Sequence, residues 1–300
     1  MDITDLLDRC RFPDTDDPLA LGVSGGADSV AMALLARAAG RDIVIWHVDH
    51  GLRATSGDDA SAVAKLASTL GAEFELRRVD IDPGADLEAR AREARYAVLP
   101  ADVCVGHTAD DRAETVLINL LRGAGLAGVA APFHRVIRPL LGLRRAETHA
   151  LCDAEGISTV HDVHNHDPAF TRVSIRQRLI PEIEAVVGRD PIPLLNRHAD
   201  LVADALDVVR RAAAGVDPTD TAALEAVPRA VATEALRSWL QTETGAVHPV
   251  DAASIERVLS VVAGRHVATE VTGGHRVART RGRLRVERRV HSAEDRDSEG

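Results

Sequence analysis

A chain of 300 residues, 45% of them apolar, is long enough for two globular domains, and none of its apolar runs approaches the length of a membrane span. The N-terminal segment is acidic and lacks the apolar core of a signal peptide, so we expect a cytoplasmic protein with no membrane partner. A net charge of −10 argues against indiscriminate nucleic-acid binding, and three widely spaced cysteines without a Cys-x-x-Cys pair argue against a zinc ribbon.

The N-terminal part of the chain alternates predicted helices and strands. A short helix and a loop rich in Pro and Asp occupy residues 1–17, and a strand at 18–23, a helix at 28–39 and a strand at 42–48 then form a βαβ unit. Further predicted elements are a helix at 55–70, a strand at 74–79, a helix at 85–99, a strand at 101–106, and helices after residue 108 and near 145–155. This alternation predicts a doubly wound, mostly parallel α/β sheet with ligands at the carboxyl ends of its strands.

The first strand ends in the sequence Ser-Gly-Gly-Ala-Asp-Ser, residues 24–29, which opens the next helix. Two glycines let the backbone approach a ligand, and the N–H groups of a helix N-terminus can converge on phosphate. The loop lacks the lysine of a Walker A motif, since Lys65 is the single lysine of the chain, and it lacks the third glycine of a dinucleotide fingerprint. A carboxylate at Asp28 beside phosphates requires a cation between them, so the loop predicts a nucleotide with Mg²⁺. A turn that needs small residues only for packing is the alternative.

Polar residues also follow the second strand. A metal site made of His47, Asp49 and His50 is conceivable, but strand alternation points His47 and His50 to opposite faces. We therefore favour a role for this segment at the strand end and in the turn.

A second polar cluster, residues 107–115, follows the fourth strand directly. Thr108 is a plausible N-cap with Asp111 at the third helical position. Carboxylates in a first turn usually complement the helix dipole, but three acids and His107 at the carboxyl end of a parallel strand indicate a site. Asp111 and Glu114 share a helix face, so together they could hold an ammonium group or a metal ion.

Two later segments carry weaker signals. The glycines after the helix, from Gly123 to Gly128, are either a helix stop or a bend that lets Arg122 clamp a phosphate. Three histidines in residues 161–166 suggest a metal by composition alone, and we favour a solvated turn there.

The chain divides into three expected parts: a catalytic α/β domain at 1–193, a connecting helix at 194–215 and a smaller, mainly helical domain at 216–300. The last part is predicted to contain helices at 221–240 and 250–262 and a turn at Gly273 and Gly274. Its segment 276–289 holds seven arginines and alternates Leu284 and Val286 with charges, as a half-exposed strand does. Two interpretations of this segment are compatible with the sequence: a solvated strand, and a strand that contacts phosphate.

Together these segments resemble the tRNA(Ile)-lysidine synthetases of the PP-loop ATP pyrophosphatase superfamily, in a short form without the last C-terminal domain. The matching motifs lie at 24–29, 48–53, 107–115, 121–128, 138–141, 165–172 and 175–176. Many ATP pyrophosphatases share the first motif, whereas the order and spacing of the others are specific for this family.

The resemblance implies a ligase that uses ATP to attach L-lysine to C2 of the wobble cytidine in tRNA(Ile) with a CAU anticodon. The C2 oxygen would attack the α-phosphate and release pyrophosphate, and the lysine ε-amine would then displace AMP. The implied partners are therefore this tRNA and L-lysine, with Mg²⁺ as the metal and a homodimer as a possible assembly.

The resemblance also implies roles for residues of this sequence. The residues implied to hold the nucleotide are Ser24, Gly25, Gly26, Ala27, Asp28, Ser29, His50 and Gly123, and Asp28 would also lie near Mg²⁺. The implied catalytic set is Asp28, His107, Asp110 and Arg122. Asp111 and Glu114 would hold the substrate lysine. Arg172 and Arg176 would guide the tRNA, although Val173-Ser174 replaces the Asn-Arg usual between them.

Two other functions compete with this one. A related PP-loop tRNA 2-thiolation enzyme would use catalytic cysteines or an iron–sulfur cluster, and Cys10, Cys104 and Cys152 do not fall in such a pattern. A non-catalytic nucleotide- or tRNA-binding module would have no need of the intact acidic cluster that ends at Glu114.

Overall fold

The computed structural model describes residues 2–49, 56–79, 87–130, 136–160, 171–245, 250–271 and 273–288. The chain forms two compact units, one comprising residues 1–124 and 128–200 and the other 125–127 and 201–300. Several predicted features lie outside the described residues: His50, most of the motif at 48–53, the His-rich stretch 161–166, and residues 165–170 of the motif at 165–172.

The first unit contains a four-stranded sheet with its connecting helices. The strands are β1 (Leu19–Gly22), β2 (Ile43–Asp49), β3 (Glu73–Arg78) and β4 (Cys104–Val105). The helices are α1 (Ile3–Leu7), α2 (Ala27–Ala38), α3 (Ser56–Thr69), α4 (Leu87–Val98), α5 (Ala109–Leu121), α7 (Arg145–Ala154), α8 (Thr171–Ser174) and α9 (Ile180–Val187). Two more helices, α6 (Leu126–Val129) and α10 (Ile192–Ala214), have residues in both units. A π-helical segment, Ile175–Leu179, joins α8 to α9.

The sheet has the strand order β3-β2-β1-β4, and every described pairing in it is parallel. The predicted parallel sheet is therefore confirmed. The chain moves from β1 to β2 to β3 in one direction and then returns to place β4 on the other side of β1. In an open α/β sheet, a ligand binds where the strand order reverses, which here is the crevice between the carboxyl ends of β1 and β4.

The predicted strand at 101–106 is shorter than expected. Only Cys104 and Val105 pair with β1, because Ala101 and Asp102 are exposed in a turn that Val103 N closes on the Pro100 carbonyl. Ile137 forms a parallel bridge with Cys104, so the apolar segment predicted at 137–141 extends the sheet edge.

Helix α2 is apolar on nearly all sides because it packs between the sheet and α7. Its residues Ala31, Met32, Ala33 and Leu35 are completely buried, as is Leu21 of β1. This packing fixes the first turn of α2, and with it the loop that precedes it, at the carboxyl edge of the sheet.

The second unit contains α11 (Thr221–Glu225), α12 (Arg229–Thr244) and α13 (Ala252–Val262), and an antiparallel sheet of β5 (Ala268–Val271), β6 (His275–Thr280) and β7 (Arg283–Arg288). The single helix predicted at 221–240 is wrong. Pro228 lacks an N–H group and occupies the N-cap of α12, so it separates two helices.

The Arg-rich segment predicted as one strand is a hairpin of β6 and β7, because Arg281 (φ 49°) and Gly282 (φ 77°) turn the chain. Several of its arginines are paired within this unit. Arg283 contacts Asp217 and Asp220, and Arg276 contacts Glu287. None of the helices in the described part of the chain is long and apolar enough to cross a membrane.

Candidate active site

The loop between β1 and α2 has a conformation that requires glycine. Gly25 has φ of 91°, and a Cβ atom there would lie 2.8 Å from Val160 Cγ2. The two serines brace the loop: Ser29 Oγ donates to the Gly26 carbonyl at 2.8 Å and accepts from Ser24 N at 3.2 Å. Gly26 is the N-cap of α2 and has no side chain that could cap it. The N–H groups of the first helical turn are therefore free of a side-chain acceptor and suit an anion.

His47 supports this loop from the neighbouring strand. Its Nδ1 lies 2.8 Å from the Val23 carbonyl oxygen, and the side chain is buried. Because a carbonyl only accepts, Nδ1 carries the hydrogen and donates it. His47 thus joins the end of β2 to the start of the loop.

The two predicted polar clusters meet at Gly106, which lies between β4 and α5. A Cβ atom at Gly106 would lie 2.6 Å from the Asp28 carbonyl oxygen, so the end of β4 passes directly against the first turn of α2. Thr108 is the N-cap of α5, as predicted, and Asp111 is the third helical residue. The Asp111 Oδ2 atom accepts from the N–H and the Oγ1 of Thr108, at 2.9 and 3.0 Å.

Four carboxylates and four guanidinium groups converge at this place, and we call them the arginine–carboxylate cluster. Its members are Asp28, Asp110, Asp111, Glu114, Arg144, Arg145, Arg172 and Arg176. The formal charges of these eight groups cancel.

Arg145 lies at the centre of the cluster. Its Nη2 donates to Asp111 Oδ1 at 2.9 Å, its Nη1 donates to Glu114 Oε1 at 3.0 Å, and its Nε is 3.6 Å from Asp28 Oδ2. Burial by itself would lower the pKa of Arg145. The charges of the three carboxylates raise it by more than burial lowers it, so the pKa of Arg145 lies above its usual value. One guanidinium therefore connects the nucleotide loop with the acidic pair of α5.

Glu114 is completely buried and is held by more than one arginine. Arg176, in the π-helical segment, binds it with two bonds, Nε to Oε1 at 2.7 Å and Nη2 to Oε2 at 3.2 Å. Arg172 Nε is 3.9 Å from Glu114 Oε2. Arg172 and Arg176 thus contact the carboxylates of Asp111 and Glu114. The sequence could not indicate this contact.

Asp110 has a different set of contacts from its neighbours. Its Oδ2 accepts from the backbone N of Arg145 at 2.9 Å and from Arg144 Nε at 3.0 Å. Its carboxylate therefore lies at the N-terminus of α7, where the helix dipole stabilises a negative charge.

The carboxyl groups of Asp28 and Asp111 have pKa values shifted in opposite directions. Burial raises the pKa of Asp28, and a hydrogen bond from Thr148 Oγ1 only partly offsets this. Burial also raises the pKa of Asp111, but the charge of Arg145 and other contacts outweigh it and bring the value to about 2. Opposite shifts in neighbouring acids are typical of functional sites.

His107 accepts a hydrogen bond at Nδ1 from Arg138 Nε, at 2.7 Å. A ring nitrogen that accepts carries no hydrogen, so the hydrogen of this imidazole is on Nε2. The bond from Arg138 therefore leaves His107 Nε2 as the nitrogen that can donate a hydrogen bond.

The structure does not bring Arg122 and Gly123 to the cluster. Arg122 is the exposed C-cap residue of α5, twelve residues after Asp110, which at 1.5 Å per residue is roughly 18 Å along the helix axis. The other described residues of the implied catalytic set, Asp28, His107 and Asp110, lie at the carboxyl edge of β1 and β4.

Sequence reasoning missed Arg144, Arg145, Thr148 and Gly106. The available signal for the arginines was their position at the start of a predicted helix that follows the apolar segment at 137–141. That signal does not tell which acids they meet, because their partners are more than thirty residues away along the chain.

A strand–loop–helix that presents N–H groups to an anion, at the reversal point of a parallel sheet, defines a nucleotide-binding protein of the PP-loop class. The PP-loop domain family model matches residues 2–183. A solved U34-tRNA thiolase, NcsA from Methanococcus maripaludis with its iron–sulfur cluster, superposes with a TM-score of 0.56 over 67% of this chain and 78% of its own. At 18% identity, this likeness concerns the fold alone.

The similarity to curated relatives indicates the family within the PP-loop class. The tRNA(Ile)-lysidine synthase of Nocardia farcinica is 38% identical over 94% of this chain and 95% of its own length. That of Salinispora tropica is 37% identical over 89% of this chain and 90% of its own. The chain belongs to the tRNA(Ile)-lysidine synthase family.

Proposed function

We propose that this protein ligates L-lysine to C2 of the wobble cytidine in tRNA(Ile) with a CAU anticodon, with ATP as the energy source. In the first step the C2 carbonyl oxygen attacks the α-phosphate and pyrophosphate leaves. In the second step the lysine ε-amine attacks C2, loses a proton, and AMP leaves with the former C2 oxygen. Adenylation is needed because an unactivated carbonyl oxygen is a poor leaving group.

One observation carries this proposal beyond family membership: a phosphate-binding loop and a buried acidic pair share one guanidinium, that of Arg145. A nucleotide on the loop and an amine on the acidic pair would therefore lie side by side. This is the arrangement that transfer from an adenylated base to an amine requires.

The nucleotide half of the site comprises the loop residues Ser24, Gly25, Gly26, Ala27, Asp28 and Ser29. Asp28 fits Mg²⁺, because this ion is commonly held by one or two carboxylates together with substrate phosphates. The Asp28 side chain is 25% exposed, so it is partly accessible beside the loop. Within the described residues no group of three His, Cys, Asp or Glu side chains is arranged for a metal. Mg²⁺ would supply charge neutralisation at the phosphates.

The amine half comprises Asp111 and Glu114 on α5. Glu114 is completely buried and the Asp111 side chain is 13% exposed, and the partners of both carboxylates are cationic. The place therefore already suits a positive group such as the ammonium of lysine. Arg172 and Arg176 would meet the tRNA beside this pair, and His107 and Asp110 would line the same crevice. A cytoplasmic location and a homodimer stay predictions from the sequence.

The decisive experiment mixes protein, ATP, Mg²⁺, labelled lysine and a CAU-anticodon transcript of tRNA(Ile). We expect lysine-dependent label in the RNA and one AMP released per lysine incorporated. A transcript with a changed wobble base is the matched control and should accept no label. Absence of label from the first transcript, with folded protein and intact RNA, would overturn the proposed function.

A further inference from the structure

We propose that Arg145 makes lysine binding depend on a nucleotide: its guanidinium occupies the amine half of the site until phosphates draw it to the loop. This inference rests on the proposed function, because it assigns lysine to Asp111 and Glu114. It concerns the order of substrate binding, which family membership does not determine.

The first support is occupancy. Arg145 Nη1 and Nη2 donate to one oxygen each of Glu114 and Asp111, at 3.0 and 2.9 Å. The second oxygen of Asp111 is already used by the N-cap of α5, and both oxygens of Glu114 accept from Arg176. An incoming ammonium therefore competes directly with Arg145 for the acidic pair.

The second support is charge. Around the acidic pair, the positive charges of Arg145, Arg172 and Arg176 balance the negative charges of Asp28, Asp111 and Glu114. Adding the ammonium of lysine there places an extra positive charge among these arginines. Removing Arg145 without a replacement is also unfavourable, because a buried carboxylate that loses its cation is strongly destabilised. Lysine can replace Arg145 only if Arg145 gains another anion.

The third support is reach. Arg145 Nε is 3.6 Å from Asp28 Oδ2, and Asp28 is in the first turn of α2, beside the loop that suits phosphates. Arginine binds phosphate with two parallel charge-assisted bonds, so phosphates on the loop offer Arg145 an anion in place of the two carboxylates. A short movement toward the loop would therefore release Asp111 and Glu114 when the nucleotide is present.

Arg144 provides a matched control one residue away. It belongs to the same cluster and carries the same charge, but it binds Asp110 and Asp190 and has no described bond to Asp28, Asp111 or Glu114. A loss of general stability or of local charge would affect both arginines, whereas the proposed coupling belongs to Arg145.

The test is calorimetric titration of L-lysine into the whole protein, alone and saturated with Mg²⁺ and α,β-methylene-ATP, which cannot release pyrophosphate. The wild type should bind lysine about tenfold more tightly with the nucleotide analogue, a typical size for coupling between two sites. Arg145→Ala should bind lysine equally well in both conditions, with an affinity near the tighter wild-type value. Arg144→Ala should keep the wild-type difference.

The outcomes separate the two proposals. If Arg145→Ala keeps the wild-type difference, or if the wild type shows none, the coupling by Arg145 is wrong and the proposed function stands. If the wild type binds no lysine in either condition and transfers none to the transcript, the proposed function itself fails. Should Arg145→Ala not fold, as circular dichroism would show, Arg145→Lys replaces it, because lysine keeps the charge but lacks the planar fork with which Arg145 reaches three carboxylates at once. A wild-type difference in Arg145→Lys would then overturn the coupling.

Discussion

Gly106 and Asp28 are in direct backbone contact: a Cβ atom at Gly106 would lie 2.6 Å from the carbonyl oxygen of Asp28. This contact brings the end of β4 against the first turn of α2. The nucleotide loop and the acidic helix α5 are therefore neighbours because one residue has no side chain.

Gly106→Ala should separate the two halves of the site. The added methyl group meets backbone atoms, which cannot rotate away, so we expect a loss of about 1–3 kcal/mol in the free energy of unfolding and a marked fall in kcat. Urea unfolding and AMP release measure the two effects. Gly57→Ala is the matched control, since a Cβ there meets no atom within 4 Å and alanine favours helix α3. Equal behaviour of the two variants would contradict this assignment.

Asp28→Asn should abolish AMP formation and also stabilise the fold. Burial raises the pKa of Asp28, so its negative charge is held at neutral pH against a penalty that asparagine does not have. We expect at least a hundredfold loss of tRNA-dependent AMP release with an increase in Tm at pH 7. The stabilisation should shrink as the pH falls and the native carboxyl becomes protonated. A decrease in Tm at pH 7 would show that the carboxylate is stabilising.

Glu114→Gln should mainly raise the KM for lysine. It should also destabilise the protein by about 3 kcal/mol, because it removes one partner of a buried ion pair. Asp200→Asn is the control: its carboxylate is 63% exposed beside Arg112, and such pairs contribute about 0–1 kcal/mol. A loss of kcat in Glu114→Gln without any change in KM would place lysine elsewhere.

Asp111 should make part of the free energy of unfolding depend on pH in the acidic range. Its pKa falls from 3.8 to about 2 on folding, and at 1.36 kcal/mol per unit this contributes about 2 kcal/mol. Because the folded value is the lower one, the contribution is complete above about pH 5 and is lost as the pH falls toward the folded pKa of about 2. Denaturant unfolding of Asp111→Asn between pH 6 and 2.5 should show a shallower decline than that of the wild type. Parallel declines would contradict the assigned pKa.

The triple variant Cys10→Ala, Cys104→Ala and Cys152→Ala should keep its turnover per folded molecule. The three thiols are buried, after α1, in β4 and in α7, and burial raises their pKa values to about 11, 12 and 11. A thiol with such a pKa is almost never a thiolate near neutral pH, so it is a poor nucleophile. Loss of turnover with an unchanged circular dichroism spectrum would favour a thiolation enzyme instead.

The sequence by itself determined the parallel sheet and the phosphate loop, because both depend on local patterns. Apolar runs of strand length alternate with helices, and the Gly25 conformation is encoded by the absence of a side chain at that position. The N-cap at Thr108 was equally local, since its partner Asp111 is three residues away. The prediction of one helix across Pro228 was wrong for a reason that is also local, because a proline at this position separates two helices.

Only the tertiary structure decided which charges meet. Arg145 lies 31 residues from Glu114 along the chain, and Arg176 lies 62 residues from it, yet both bond to the same carboxylate. Sequence patterns could not pair them, because the composition offers many arginines and an ion pair depends on distance in space. Packing of α7 against α2, and the contact of Gly106 with Asp28, set those distances and thereby turned two separate motifs into one candidate site.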